Sequence, residues 1–421
     1  MSNLKVLGGK PLRLQPYPAW PVHDERDTRA VAAVIESGQW SGLPYPGPKA
    51  KAFAEQFARM QGGALAVPLA SGTAALEVAL RAAGIGWEDE VIIPAYAFQA
   101  IPVATLAAGA IPVIADIDPG TYCIDPEQVK LSLTSRTRAI IVAHLGAQLT
   151  DMDAIMEIAD SYGLVVIEEC SHVPGAKWHN QGAGTIGHFG AFSMDSGNIL
   201  TAGEGGMLLC RTRDLAEKAL SIADDGRPKD VTQDNFSLGT NYHLPEIQAA
   251  LGLVALERLP EQIKQRADVV AYLEEGLSKL PGIRLLRTDI RHSVRSFYRY
   301  IFAIDRQAFG AEHNVVCFAL AGEGIPCDPG YPAMHHYDLF QPWLSHLPVP
   351  SAFPERFQFE KLHFPEVERI SEEEAVWLDE AVFRAGKPGI DDVINALKKL
   401  QDNRGEMQQL EEMRMKLFGL R

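Results

Sequence analysis

Seven short apolar runs punctuate the first half of the chain: Leu65–Leu69, Val91–Pro94, Ile111–Ala115, Ala139–Ala143, Leu164–Ile167, Gly190–Ser193 and Gly206–Cys210. Most are rich in Val, Ile and Leu without strict alternation, the pattern of strands buried on both faces of a mainly parallel sheet. Between them, Thr73–Ala83, Ile101–Ala108 and Met152–Tyr162 carry apolar residues at helical spacing. Strand alternating with helix predicts an α/β large domain over residues 1–255, built on a seven-stranded sheet and preceded by an N-terminal arm. From about Pro260 the texture changes. A polar helical stretch over Pro260–Leu280 leads into strand-like Gly282–Leu286 and Ser296–Ile304, which predicts a smaller α+β domain over residues 256–400. Gly330–Pro354, rich in Pro, His and aromatic residues, reads as an irregular loop or lid. Residues 401–421 predict a helical tail that packs loosely or on a partner.

Charge narrows the partners. The 421 residues hold 39 basic and 54 acidic side chains, a net charge of −15. Nucleic acids and anionic membranes both need a basic face, so neither is expected. A small anion stays compatible, because a few local N–H groups can hold one. Cys123, Cys170, Cys210, Cys317 and Cys327 are scattered and form no CxxC pair. They predict free thiols in a reducing, cytoplasmic compartment and no zinc site or disulfide frame. No run of about 18 apolar residues occurs, so no membrane span is expected.

Ligands of open α/β sheets bind at the carboxyl ends of the strands, and the chemically informative residues cluster there. Ser71, Gly72 and Thr73 follow the first strand and open a helix; small residues, hydroxyls and free N–H groups suit a phosphate, or simply an ordinary N-cap. Phe98 follows the second strand and could stack on a flat heterocycle or belong to the core. Glu168, Glu169 and His172 end the fifth strand. They could meet a cationic ring nitrogen and a phenolate, or start a solvated helix. The longest such word runs Phe192-Ser193-Met194-Asp195-Ser196-Gly197-Asn198-Ile199-Leu200-Thr201-Ala202-Gly203-Glu204-Gly205-Gly206, a polar loop turning into a strand. Asn241 sits at a further polar tip. His335 and His336 suit a hydroxyl-rich or phosphorylated ligand, or an ordinary polar surface; with no third ligand evident in sequence, no metal is expected.

Together these words resemble the DegT/StrS family of sugar and cyclitol aminotransferases, and in flavour its aminocyclitol and 3-amino-5-hydroxybenzoate synthase branch. The likeness runs from the opening GGKPLR through IDPGTYCIDP, GTIG at Gly184–Gly187, TAGEGG and GTNYHLPEIQAA to about Leu400. It implies a fold-type-I enzyme of pyridoxal phosphate (PLP) or its amine form, pyridoxamine phosphate (PMP). The implied substrates are a keto or amino sugar or cyclitol, with Gln or Glu as amino donor. Carried over position by position, Ser71, Gly72, Thr73 and Ser193 would bind the phosphate, Phe98 would stack on the pyridine ring, and His172 would lie near the ring hydroxyl. Asn241 would reach the phosphate of a neighbouring subunit, implying a homodimer with shared sites. Tyr298, Tyr331, His335 and His336 would line the substrate side.

Three positions depart from the family pattern. Where the family carries its Schiff-base lysine, just before TAGEGG, the chain has Asn198. An amide is neither nucleophilic nor basic near neutral pH, so ordinary amino transfer is expected to be impaired and any cofactor to be held non-covalently. The acid that pairs with the pyridinium nitrogen is Glu169 in place of Asp, and His188 stands in place of a second Asp. Three readings follow. A PMP-dependent dehydratase could use His172 or His188 as base. A catalytically silent paralogue could bind a sugar nucleotide, a cofactor or an active partner. An otherwise competent aminotransferase could carry a single Lys-to-Asn change, one base away in the codon.

Overall fold

The computed structural model describes residues 2–41, 43–63, 65–228, 237–340 and 346–418. Part of the expected loop, 341–345, and the end of the tail, 419–421, lie outside the described residues.

All seven apolar runs become strands of one sheet. They are β1 (Leu65–Leu69), β2 (Glu90–Pro94), β3 (Ile111–Ala115), β4 (Thr137–Ala143), β5 (Val165–Glu169), β8 (Phe189–Ser193) and β9 (Gly206–Cys210), with the short β6 (Lys177–Trp178) and β7 (Gln181–Gly182) between β5 and β8. The strand order is β1-β9-β8-β5-β4-β2-β3. β9 runs antiparallel to both β1 and β8, and every other pairing is parallel. Successive residues of the central strands serve opposite cores: Ile93, Ile141 and Ile167 pack on one face, Ile92, Ile140 and Val166 on the other. Helices cover both faces, so both sides of each strand are apolar and period-two alternation is lost. The register Leu69↔Gly206↔Ser193 gathers the ends of β1 and β8 and the start of β9 at one edge.

β10 (Ile283–Leu285), β12 (Tyr300–Ile304), β14 (Ala375–Leu378) and β13 (Cys327–Asp328) form a second, antiparallel sheet in that order, while β11 (His292–Val294) joins β6 and β7. The helix expected to begin at Pro260 instead begins at Glu246 and runs unbroken to Leu277, across the expected domain boundary at residue 255. Proline removes one ladder bond, but Leu256, Leu259 and Leu273 are buried along this helix, and that burial outweighs the local penalty. The expected irregular loop contains short helical turns at Met334–His336, Asp338–Phe340 and Pro348–Ala352. The tail is also better anchored than expected. The helix Arg404–Phe418 packs on its own chain through buried Met407, Glu406 accepts the N–H groups of Asn3 and Leu4 at 2.9 Å each, and Arg414 pairs with Glu312 at 2.7 Å. No helix among the described residues is long and apolar enough to cross a membrane.

One buried ion pair ties the long helix to the segments flanking β12 and β14 of the second sheet. Arg266 donates to Glu380 at 2.8 Å and to the Phe297 carbonyl at 2.9 Å. Burial lowers its guanidinium pKa to about 10, with Glu380 acting against the shift. Glu380→Gln leaves Arg266 buried beside a neutral amide; denaturant unfolding is expected to show a loss of about 3 kcal/mol.

Candidate active site

The carboxyl edge of the sheet opens into a cavity of about 330 Å³. Ser71, Gly72, Thr73, Phe98 and Glu169 line it, together with His172, Ser193, Asn198, Tyr298 and Tyr331. Ten positions expected from sequence therefore meet in one place.

At one end lies a helix start with a polar lip. Ser71 caps the helix Gly72–Ala82, its Oγ accepting the Ala74 N–H at 3.1 Å. The N–H groups of Gly72 and Thr73 precede the intrahelical ladder and have no place in it. Gly72 is needed for its size: a Cβ there would lie 2.7 Å from Ser193 Cβ. The missing side chain lets the helix start and the β8 end share one small volume.

At the other end stand carboxylates and rings. Glu169 turns one oxygen back on its own chain, where Oε1 accepts the Ser171 N–H at 3.1 Å and the Ser171 hydroxyl. Ser171 Oγ in turn accepts the Ser193 N–H at 2.9 Å. Burial raises the Glu169 pKa, with the Ser171 bonds opposing it. The His172 ring stacks on Tyr298 with centroids 4.2 Å apart, and its Nε2 faces the Tyr331 hydroxyl at 3.4 Å. Phe98 is half-exposed, 5.8 Å from the Tyr331 ring.

Asn198 is buried, and its Nδ2–H donates to the Ser193 carbonyl at 3.3 Å. The amide is spent on its own turn. A Cβ built on Gly197, one residue earlier, would lie 3.2 Å from Asp195 Oδ1 and 3.6 Å from the Tyr298 hydroxyl, so an acid and a phenol flank this turn. Burial raises the Tyr298 pKa and keeps that hydroxyl protonated.

The expected bases fare differently from the helix start. His172 Nδ1 accepts the Gly146 N–H at 3.1 Å, so the neutral ring carries its proton on Nε2. Burial, reinforced by Arg299, lowers its pKa to about 3. It is a donor in the cavity and takes up no second proton near neutrality. His188 precedes β8 at the opposite edge of the sheet, its Nδ1 accepting the Val166 N–H at 3.0 Å, and it is not a cavity residue. A parallel strand separates its two ends by its whole length, which removes His188 from the chemistry. His335 and His336 also lie off the cavity: the buried His335 puts its Nε2 3.3 Å from Glu368 Oε1, and His336 is exposed. Asn241 is exposed beside Asp224, outside its own chain's cavity. Lys177, the nearest lysine upstream of Asn198 in sequence, sits in β6 and does not line the cavity.

Sequence reasoning passed over Ser171, Asp195 and Glu204, which also line the cavity. Asp195 and Glu204 lie inside the Phe192–Gly206 word, and Ser171 lies between Glu169 and His172. Trp377 supports the aromatic wall from behind, 5.0 Å from the Tyr331 ring, and no local signal marked it. His144, Glu168 and Cys170 bring three possible ligand atoms within 4.8 Å of one another. Glu168 is already filled by the N–H groups of Gly184, Ile186 and Gly187, and His144 Nδ1 accepts the Thr150 N–H, which makes this group a closed hydrogen-bond hub.

The fold is that of a fold-type-I PLP transferase, with this cavity at the carboxyl edge of its main sheet. The chain matches the DegT/DnrJ/EryC1/StrS aminotransferase family over residues 21–378 and belongs to it. It is 35% identical to a Micromonospora echinospora protein provisionally named L-glutamine:3-amino-2,3-dideoxy-scyllo-inosose aminotransferase, over 96% of this chain and 99% of that one. It is 32% identical to the L-glutamine:scyllo-inosose aminotransferase of Streptomyces griseus, over 96% and 98%. The crystal structure of 3-amino-5-hydroxybenzoic acid synthase superposes with a TM-score of 0.81 at 29% identity, covering 93% of this chain and 99% of that one. The protein is a member of the sugar and cyclitol aminotransferase family.

The His172 geometry has a pH signature. Its folded pKa of about 3 lies below its ordinary value, so between the two the unfolded chain binds the extra proton. Stability is complete above about pH 6.5 and falls as pH drops, by up to about 1.4 kcal/mol per pH unit from this group. Chemical denaturation of the protein and its His172→Gln variant from neutral to acidic pH is expected to show a shallower slope in the variant.

Proposed function

We propose that this enzyme holds PLP or PMP without a covalent link and acts on a keto- or aminocyclitol, with Gln or Glu as amino donor and ordinary amino transfer impaired. The observation that carries the reading is the contrast between an intact polar helix start and Asn198, an amide turned onto Ser193 at the position where the family resemblance puts a lysine.

The residues fit the cofactor's two ends. The N–H groups of Gly72 and Thr73 and the hydroxyls of Ser71, Thr73 and Ser193 would take the phosphate, in the space that the missing Gly72 side chain leaves. Phe98 would cover one ring face. Glu169, steadied by Ser171, would offer its remaining oxygen to the ring nitrogen, and His172 Nε2–H would donate to the ring oxygen. Asn241, exposed on its own chain, would complete the phosphate site of a second copy in a homodimer. When bound, the cofactor supplies an electron sink for the substrate carbon. Around it, Tyr298 holds a proton, and Asp195 stands beside the turn that carries Asn198, its Oδ1 accepting the Gly197 N–H at 2.8 Å.

The lining also bears on the substrate. Glu169, Asp195 and Glu204 are present, and no Lys or Arg occurs among the described residues lining the cavity. That balance favours a neutral or amine-bearing cyclitol over a nucleotide diphosphate, in keeping with the inosose-type names of the relatives. The dehydratase reading needs an imidazole base, and the tautomer of His172 and the distance of His188 argue against it.

Protein mixed with PLP is expected to show the spectrum of the free aldehyde, and borohydride followed by peptide mass analysis is expected to leave no pyridoxyl-lysine. A stable adduct on a lysine of the unaltered chain would overturn the reading. Asn198→Lys is expected to yield that adduct and to raise amino transfer from Gln to a keto-cyclitol by at least about 100-fold. A variant that binds PLP but stays inert would favour the silent paralogue.

A further inference from the structure

Two of the five cysteines meet outside the cavity, and no part of the proposed chemistry uses them. Cys317 lies in the helix His313–Gly322 and is 4% exposed, while Cys327 begins β13, the edge strand of the second sheet, and is half-buried. The Cys327 thiol donates to the Cys317 carbonyl oxygen at 3.6 Å. The Cys317 thiol in turn bonds to the Cys327 side chain. Each thiol is therefore turned toward the other residue. Cys123, Cys170 and Cys210 are buried in the large domain, where burial pushes each thiol up and keeps it inert.

We propose that Cys317 and Cys327 form a reversible two-electron oxidation site, closing to an intrachain disulfide when the protein meets hydrogen peroxide. Cys327 is the reacting member, because a small oxidant reaches the edge strand from solvent more readily than the covered face of the helix. Its sulfur, as thiolate, attacks peroxide; the O–O bond breaks, one oxygen leaves as water and the other stays on sulfur as a sulfenic acid. The neighbouring Cys327 thiol and burial push the Cys317 thiol up, so Cys317 keeps its proton through this step. The Cys317 sulfur then attacks the Cys327 sulfur, the S–S bond forms, and the S–O bond breaks to release a second water. Two thiols are oxidised, one peroxide is reduced, and the products are one disulfide and two waters.

The pair lies next to the cavity in the chain. Asp328 pairs with Arg299 and accepts the Gly330 N–H at 2.9 Å, and Tyr331 is a wall of the cavity. A Cβ on Gly330 would lie 2.4 Å from the Tyr96 hydroxyl, so the segment between Cys327 and Tyr331 is seated without slack. A bond from Cys327 to the helix would tie that wall to the core of the smaller domain.

Both cysteines fall in one tryptic peptide, Gln307–Arg356, which sets the test. Full-length protein treated with hydrogen peroxide near neutral pH, then alkylated in denaturant, is expected to lose two of its five free thiols. The peptide is expected to lose about 2 Da, and dithiothreitol to reverse the loss. Cys327→Ser is expected to abolish it. Cys317→Ser removes the resolving thiol, so Cys327 is expected to stop as the sulfenic acid and to be labelled by dimedone. Retention of all five thiols, an unchanged loss of thiols in Cys327→Ser, or no dimedone label on Cys327 in Cys317→Ser would each overturn the proposal.

Discussion

Glu168 has no solvent exposure, yet its carboxylate is fully engaged. Its oxygens accept the N–H groups of Gly184, Ile186 and Gly187 at 2.7–2.8 Å and face His144 Nε2 at 3.0 Å. A carboxylate without such donors would cost several kcal/mol at this depth. With them it becomes a staple that joins the end of β5, the loop before β8 and the loop after β4. The next residues in the chain, Glu169, Ser171 and His172, are aimed into the cavity because Glu168 is held behind them. His144 extends the staple by accepting the Thr150 N–H.

The cavity that results has two ends of different character. The helix-start end is made by what is missing. Gly72 has no Cβ, and Gly206 must also lack one because it would lie 2.2 Å from the Ser71 carbonyl oxygen. Backbone can therefore approach a bound anion closely, which side chains would prevent. The ring end is made by polar groups that satisfy one another: Ser171 receives Ser193 and supports Glu169, while Gly146 sets the tautomer of His172. The longer Glu169 side chain is accommodated by folding one oxygen onto Ser171. Asn198 is absorbed in the same way, through the Ser193 carbonyl. The Asn198 amide thus closes onto its own turn.

Much of this was legible beforehand. Parallel strands buried on both faces write themselves as unbroken Val, Ile and Leu runs, so all seven strands of the main sheet were visible, and the helix Met152–Tyr162 was read to the residue. The polar helix start was legible for a local reason as well: Ser71, Gly72 and Thr73 are consecutive, and such a start requires only neighbours in sequence. Pro260 misled because its local penalty is visible and the burial of Leu256, Leu259 and Leu273 is not. The tail misled likewise, since its anchors, Asn3, Leu4 and Glu312, are remote in the chain.

The sequence by itself determined the strand-and-helix alternation, the polar helix start at Ser71–Thr73 and the amide at position 198, because each depends on residue type and short-range spacing. Only the tertiary structure decided which titratable groups share the cavity. His172 became a proton donor when Gly146 reached its Nδ1, His188 was carried to the far edge by the length of β8, and His335 was turned toward Glu368. Protonation state and reach depend on what folding places beside a side chain and how much water it leaves there, and neither quantity is written in the order of residues.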